Sequence, residues 1–308
     1  MHSRTSAVTT SPRSDFGSWK GAIQARIEAA LTRLLPAPEI VPQRLHQAMR
    51  YAVLGGGKRV RALLAFAAGD LALADPARVE IVACAVECVH AYSLVHDDLP
   101  CMDDDVLRRG KPSCHVEYDE ATALLAGDSL QAFAFQILSE HRLADDPATQ
   151  VQMLRTLAAA CGSRGMAGGQ AIDLDSIGKS LTQPELEHMH IHKTGALIRA
   201  SVALGARCGQ ALSAQELERL ERYSKFIGLA FQVVDDILDC EATTATLGKT
   251  SGKDAAANKP TYVSVLGAAQ ARSLAQELRA QAEEAISGFG ARAGRLAALA
   301  DFIVLREF

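Results

Sequence analysis

From Phe16 onward, apolar residues recur at spacings of three and four, the period of a helix with one buried face. This recurrence predicts helices over residues 16–34, 39–54, 60–73, 77–98, 118–143, 147–163, 184–208, 214–239, 260–287 and 293–305. Helix-start signals punctuate them. Asp75-Pro76 and Asp146-Pro147 each place a capping carboxylate before a first-turn proline. Thr182-Gln183-Pro184-Glu185 and Ser213-Ala214-Gln215-Glu216 read as capping boxes. No segment alternates apolar and polar residues as a strand does. The expected fold is all-α, with central helices apolar nearly all round and therefore buried.

Composition agrees. The chain has 308 residues, 48% of them hydrophobic and only 5% aromatic, which favours helices over an all-β fold. Alanine and leucine, both good helix formers, dominate. No linker, repeat or low-complexity block divides the chain. One domain is expected over residues 16–308, after a polar tail over 1–15 that lacks the apolar centre of a signal peptide. The net charge of -4 and the scattered basic residues speak against a nucleic-acid surface. Seven cysteines with no C-x-x-C pair suggest reduced thiols in a cytoplasmic protein. No apolar run reads as reaching the length needed to cross a bilayer, so no membrane span is expected.

Two acidic clusters supply the first chemistry. One runs Asp97-Asp98-Leu99-Pro100-Cys101-Met102-Asp103-Asp104-Asp105; the other runs Asp235-Asp236-Ile237-Leu238-Asp239. Each ends an apolar helix, where the helix dipole already carries partial negative charge. Carboxylates packed this closely repel one another and raise each other's pKa values. A hard cation such as magnesium removes the conflict, since it takes carboxylates together with waters and substrate phosphates. Asp235 and Asp239 lie one turn apart on one face. Pro100 interrupts the helix, so that Asp97 and Asp103 are able to converge. A single cluster is equally well read as a solvated acidic helix end; two together favour a magnesium diphosphate site.

Basic motifs accompany them. Gly55-Gly56-Gly57-Lys58-Arg59-Val60-Arg61 precedes a helix, an arrangement suited to an anion, or else a turn with solvated charges. It is not a P-loop, because Ala52 stands at the first glycine position and Arg59 follows Lys58. Arg108-Arg109 follows the first cluster, and arginine forks suit phosphate oxygens, or else one of the two pairs with the neighbouring aspartates. Lys193-Thr194 and Gln232 lie within apolar helices, where a buried polar group needs a partner. Lys249 and Lys259 follow the second cluster in a lid-like loop. His188, His190 and His192 do not make a metal site, since only two of them share a face. His96 and His115 have no assigned role.

These landmarks carry a resemblance. In chain order they read GGGKRVR, VHAYSLVHDDLPCMDDDVLRRGKPSCH, LLAGDSLQAFAF, GGQAIDLD, HKTGALIRA, GLAFQVVDDILD, LGKTSGKD and NKPTY, from Gly55 to Tyr262. The chain resembles the bacterial-type short-chain trans-prenyl diphosphate synthases, farnesyl diphosphate synthases most closely. The resemblance implies a bundle of about ten or more helices around a deep central cavity, usually in a homodimer. It implies an enzyme that condenses isopentenyl diphosphate with an allylic diphosphate, head to tail, through an allylic carbocation.

The same resemblance assigns roles. Asp97, Asp103 and Asp235 are expected to bind magnesium, about three ions per site when substrate is present, with Asp98 and Asp239 in support. Arg108 and Lys193, joined by Lys249 with Lys259 nearby, are expected to grip the allylic diphosphate. Lys58, Arg61, His90 and Arg109 resemble the isopentenyl diphosphate site. The Lys193 carbonyl, the Thr194 hydroxyl and Gln232 would face the carbocation, while Gln170 and Asp173 resemble a supporting pair near the metals. Tyr92 and Ser93 lie five and four residues before Asp97, about 6–7.5 Å below the metal site on a helix, where a tyrosine limits chain length. Farnesyl diphosphate is the expected product, with a C20 product as the runner-up. A class I terpene cyclase or an inert partner subunit fits less well, because both aspartate motifs and the isopentenyl-site residues are intact. Ala62 replaces a proline common in the family, and Val106 a further aspartate; neither position carries an assigned role.

Overall fold

The structure, a computed structural model, describes residues 15–241 and 259–306. The expected tail over 1–15, apart from Asp15, and the expected role of Lys249 lie outside the described residues. The chain is built from α1 (Phe16–Leu34), α2 (Gln43–Val53), α3 (Val60–Leu71), α4 (Pro76–Asp97), α5 (Cys114–Glu117), α6 (Glu120–Glu140) and α7 (Pro147–Cys161). It continues through α8 (Met166–Asp175), α9 (Gln183–Lys193), α10 (Gly195–Arg207) and α11 (Ala214–Glu241). After the undescribed segment come α12 (Tyr262–Leu266), α13 (Ala268–Ile286), a 3₁₀ turn over Ser287–Ala293 and α14 (Gly294–Val304). The all-α expectation holds.

Capping follows the sequence signals. Asp75 accepts from Ala77 N at 2.8 Å, and Asp146 from Ala148 and Thr149 N at 3.1 Å. Ser213 and Glu216 exchange bonds at 2.9 and 3.2 Å, closing the expected box. The core falls into two apolar clusters. One surrounds α4, which packs against α3, α6 and α10; the other surrounds α11, which packs against α10 and α13. The site lies between them.

Four expectations need correction. The helix expected over 184–208 is broken at Thr194 into α9 and α10, and Gly195 opens the second half. The helix expected over 260–287 is divided at Gly267, whose positive φ of 79° ends α12. Helix α8 was not expected, because Gly168 and Gly169 have low helix propensity; its place comes from packing. A Cβ on Gly169 would lie 2.0 Å from Lys193 N, so only glycine lets α8 and α9 touch there. A short antiparallel pair, β1 (Leu107–Arg108) with β2 (Lys111–Pro112), was also missed. Its turn residues Arg109 and Gly110 have φ of 54° and 74°, the signs of a type I′ turn.

The expectation about apolar runs is corrected too. Pro76–Asp97 and Glu120–Glu140 are both long and apolar enough to span a bilayer by length and composition. The first is 72% buried inside the protein, the second 44%. Helix α4 is apolar because it is the central core helix. Cys84, Cys88, Cys114, Cys161 and Cys208 are buried free thiols, while Cys101 and Cys240 are exposed.

Candidate active site

Between the two core clusters lies a cavity of about 1040 Å³. A neighbouring recess of about 310 Å³ shares Asp97, Arg108, Lys193, Gln232 and Asp235 with it. The C-terminal end of α4 brings Asp97, and α11 brings Asp235 and Asp239. The loop after α4 folds back on itself. Asp103 N donates to Asp97 O at 2.9 Å and Asp105 N to Asp98 O at 3.1 Å. Asp97 and Asp103 therefore meet as the Pro100 interruption implied, and Asp103 lines the recess.

Side-chain cations are threaded among the carboxylates. Lys193 pairs with Asp173 at 2.6 Å; Lys259 pairs with Asp103 at 2.8 Å and reaches Asp173 at 3.5 Å. Burial alone would raise Asp173, but these lysines hold it below the usual carboxylate range. Asp98 is buried and grips Arg108, which also reaches Asp105 at 3.4 Å. Asp98 is thus placed behind Arg108, outside the lining of both hollows, where it fixes the direction of the guanidinium. Burial pushes the Asp97 carboxyl up to about 6, with Asp103 and Asp98 adding to the rise and Lys193 and Arg108 opposing it.

A polar chain crosses the break between α9 and α10. Thr194 Oγ1 donates to Gln232 Oε1 at 3.1 Å, and Gln232 Nε2 donates to Asp236 Oδ1 at 2.8 Å. Asp236 Oδ2 accepts from Tyr262 N at 2.8 Å, which locks the sequence. A Cβ on Gly228, one turn before Gln232, would lie 3.1 Å from Gly195 Cα. That backbone approach sets Gln232 beside Thr194. Gln170 lines the cavity, and neither amide atom has a hydrogen-bond partner among the described residues, which leaves it able to bond a ligand or water there.

Basic side chains share the cavity. Lys58, Arg61, His90 and Arg109 all line the main cavity. Burial lowers Lys58, Arg61 and Arg109, and no carboxylate pairs with any of them among the described residues. Arg109 donates to Gly56 O at 2.8 Å, and Arg61 Nε has no partner. Burial, reinforced by the neighbouring arginines, holds His90 neutral, well below its ordinary range. Such a cluster is unfavourable without an anion. Tyr92 lies along the wall at 9% exposure, its ring edge-on to His96 at 5.5 Å, and Ser93 Oγ is spent on His90 O at 2.8 Å.

Sequence reasoning missed three residues here. Arg306 pairs with Asp235, donates to Phe231 O at 3.2 Å and stacks 4.3 Å over the Phe231 ring. Its signal was faint: one arginine after the apolar run that closes α14. Arg59, in the left-handed region at φ 51°, is only 4% exposed. It bonds Glu87 at 3.0 Å, Val53 O at 2.7 Å and Glu28. Glu87 also accepts from Ala62 N at 3.1 Å, tying the glycine-rich loop to α4.

The donor set fits a hard divalent ion that arrives with a diphosphate. Magnesium uses one or two carboxylates and fills its shell with waters and phosphates. Among the described residues no three His, Cys, Asp or Glu side chains are grouped to hold an ion unaided. Instead, Asp103, Asp173 and Asp235 each carry a lysine or arginine where positive charge is needed. Asp97 forms no ion pair among the described residues, and burial raises its pKa against the pull of Lys193 and Arg108.

A helical cavity lined by carboxylates and by arginine and lysine side chains suits an anionic ligand that arrives with a divalent cation. The chain matches the profile of the Polyprenyl synthetase family over residues 42–289. It is 45% identical to the farnesyl diphosphate synthase of Escherichia coli (strain K12), over 95% of this chain and 99% of that one. It is 46% identical to a chloroplastic geranylgeranyl pyrophosphate synthase of Capsicum annuum, over 86% and 72%. A geranyltransferase of Helicobacter pylori, solved with magnesium and isoprenyl diphosphate, superposes with a TM-score of 0.86 at 32% identity, covering 98% and 100%. The chain belongs to the polyprenyl synthetase family.

Proposed function

We propose that this enzyme is a farnesyl diphosphate synthase, condensing isopentenyl diphosphate with dimethylallyl and then geranyl diphosphate. The observation that carries the reading is the pairing, across one cavity of about 1040 Å³, of the Asp97 and Asp235 wall with the Lys58, Arg61 and Arg109 wall. Each wall suits one diphosphate. The cationic wall holds the isopentenyl head in guanidinium forks. The carboxylate wall, with Arg108 and Lys193, holds the allylic head by way of magnesium, about three ions per site. Bound there, magnesium supplies Lewis-acid stabilisation of the leaving diphosphate.

The protein groups do the rest. Lys193 and Arg108 neutralise negative charge as the allylic C–O bond breaks. The Thr194 hydroxyl, the Gln232 amide and the Lys193 carbonyl direct dipoles at the cation without attacking it. The isopentenyl double bond attacks C1, and the proton then lost passes to the released diphosphate. The apolar walls exclude the water that would quench the cation. Tyr92 stops the growing chain at C15; the C20 alternative requires that ring to move aside.

A homodimer and a cytoplasmic site of action belong to the same reading. Helix α6 supports the dimer, since Leu124 and Leu125 lie 46% and 54% exposed on an otherwise apolar helix. The test is to incubate the protein with labelled isopentenyl diphosphate and C5, C10 or C15 allylic diphosphate, with and without magnesium. Farnesol should be recovered after dephosphorylation from the C5 and C10 primers, and none without magnesium or with Asp97→Ala. Geranylgeraniol would retain the transfer chemistry and discard the role of Tyr92. A cyclic hydrocarbon or no elongation would overturn the reading.

A further inference from the structure

A second cavity, of about 330 Å³, lies between α7, α10 and α11 and shares no lining residue with the two hollows of the active site. Its lining combines small apolar side chains with arginines. Ala196, Ala203 and Leu220 supply apolar surface; Arg164, Arg199 and Arg207 supply charge. Glu221, exposed, is the one carboxylate in the lining.

The arginines are short of partners. Arg199 Nη1 donates to Ile191 O at 3.0 Å and Arg207 Nη1 to Ala203 O at 3.2 Å. Neither forms an ion pair among the described residues, although a guanidinium offers five N–H donors. Burial lowers the pKa of four described arginines: Arg61, Arg109, Arg199 and Arg207. The first two form the cationic wall of the active site. The other two border this cavity half-buried, with Glu221 acting on Arg199 alone, and so present partly desolvated guanidinium donors that suit an anion.

We propose that this cavity is a binding site for an amphiphilic phosphate. The phosphate head sits in the forks of Arg199 and Arg207, with Arg164 at the mouth, and a short alkyl or alkenyl body lies on Ala196, Ala203 and Leu220. Its volume is that of about eleven waters, at the small end of ligand pockets and too little for a peptide. The site is built separately from the active site, although Arg199 reaches back to α9 two residues before Lys193.

Isothermal titration calorimetry tests this, run in parallel without and with magnesium diphosphate at the lowest concentration that fills the active site, so that the heat of each site is separated. Decyl phosphate should bind once per chain. Arg207→Glu should weaken it at least tenfold while leaving the prenyl-transfer rate unchanged, which also shows that the variant folds. Ala203→Trp, which fills the cavity, should abolish it. Inorganic phosphate should bind at least tenfold more weakly than decyl phosphate. Superimposable isotherms for wild type and Arg207→Glu, or equal affinity for inorganic phosphate, would overturn the proposal. An absence of prenyl transfer in the wild type would instead sink the active-site reading and leave this one standing.

Discussion

Replacing Glu87 by glutamine tests how the cationic wall is held. Glu87 is 2% exposed, bonds Arg59 Nη1 at 3.0 Å and caps Ala62 N at 3.1 Å. Breaking a buried ion pair from one side costs about 3–5 kcal/mol, because the surviving charge is left uncompensated. Here Arg59 keeps Glu28, whose side chain is 33% exposed, so the loss should fall to about 2–3 kcal/mol. In a chain of this size that is a fall in Tm of about 4–6 °C. Lys58 and Arg61 flank Arg59, so the pocket proposed for isopentenyl diphosphate loosens with it. The KM for isopentenyl diphosphate should rise about tenfold, equivalent to 1.4 kcal/mol, with kcat at saturation little changed. Thermal unfolding and steady-state kinetics measure both. The double variant Glu87→Gln with Arg59→Met should recover stability but not KM, since it removes the stranded charge and leaves the loop untied. A Tm within about 1 °C of wild type together with an unchanged KM would refute the reasoning.

Four further outcomes are expected. Tyr92→Ala should shift the main product from C15 to C20 on chromatography, and a product that stays at C15 defeats the steric assignment. Arg306→Gln frees Asp235 from its guanidinium; a partly exposed pair is worth at most about 1 kcal/mol, so half-saturating magnesium should fall about two- to fivefold. Magnesium with inorganic diphosphate should raise the wild-type Tm by mass action, chelator should reverse the rise, and a full rise in Asp235→Asn contradicts the assignment. His190, held neutral by burial at a pKa of about 3, contributes stability that is complete above pH 6.5 and is lost as pH falls below it. By pH 5 the loss is about 2 kcal/mol, and urea denaturation of His190→Gln should show a correspondingly flatter pH profile; an identical slope rejects the idea.

What was legible in the sequence was whatever rests on local chemistry. The helix periods, the capping residues at Asp75, Asp146 and Ser213, and the two acidic clusters need only neighbours in the chain. What escaped depends on distant partners. Helix α8 forms around two glycines because α9 packs against it, a gain that local propensity cannot register. The break at Thr194 is met by Gly228 and Gln232 of α11, more than thirty residues on in sequence. Arg306 reaches Asp235 across 71 positions and Arg59 reaches Glu87 across 28; neither spacing leaves a periodic trace. That one of Arg108 and Arg109 pairs with a neighbouring aspartate was legible, but not that Arg108 takes Asp98, since that depends on how the loop after α4 turns back.

The glycine contacts at Gly169 and Gly228 divide the cavity into a rigid end and an adjustable end. Where Lys193, Thr194 and Gln232 converge, the spacing is set by backbone against backbone, which has no rotamers to exchange. Farther down, toward Tyr92, the boundary is made of side chains projecting from α4, each replaceable without shifting a helix. Divergence within such a fold therefore has an easy direction. On the proposed reading, product size would drift by single substitutions at the floor, while the ionising chemistry would stay anchored to contacts that admit almost no change.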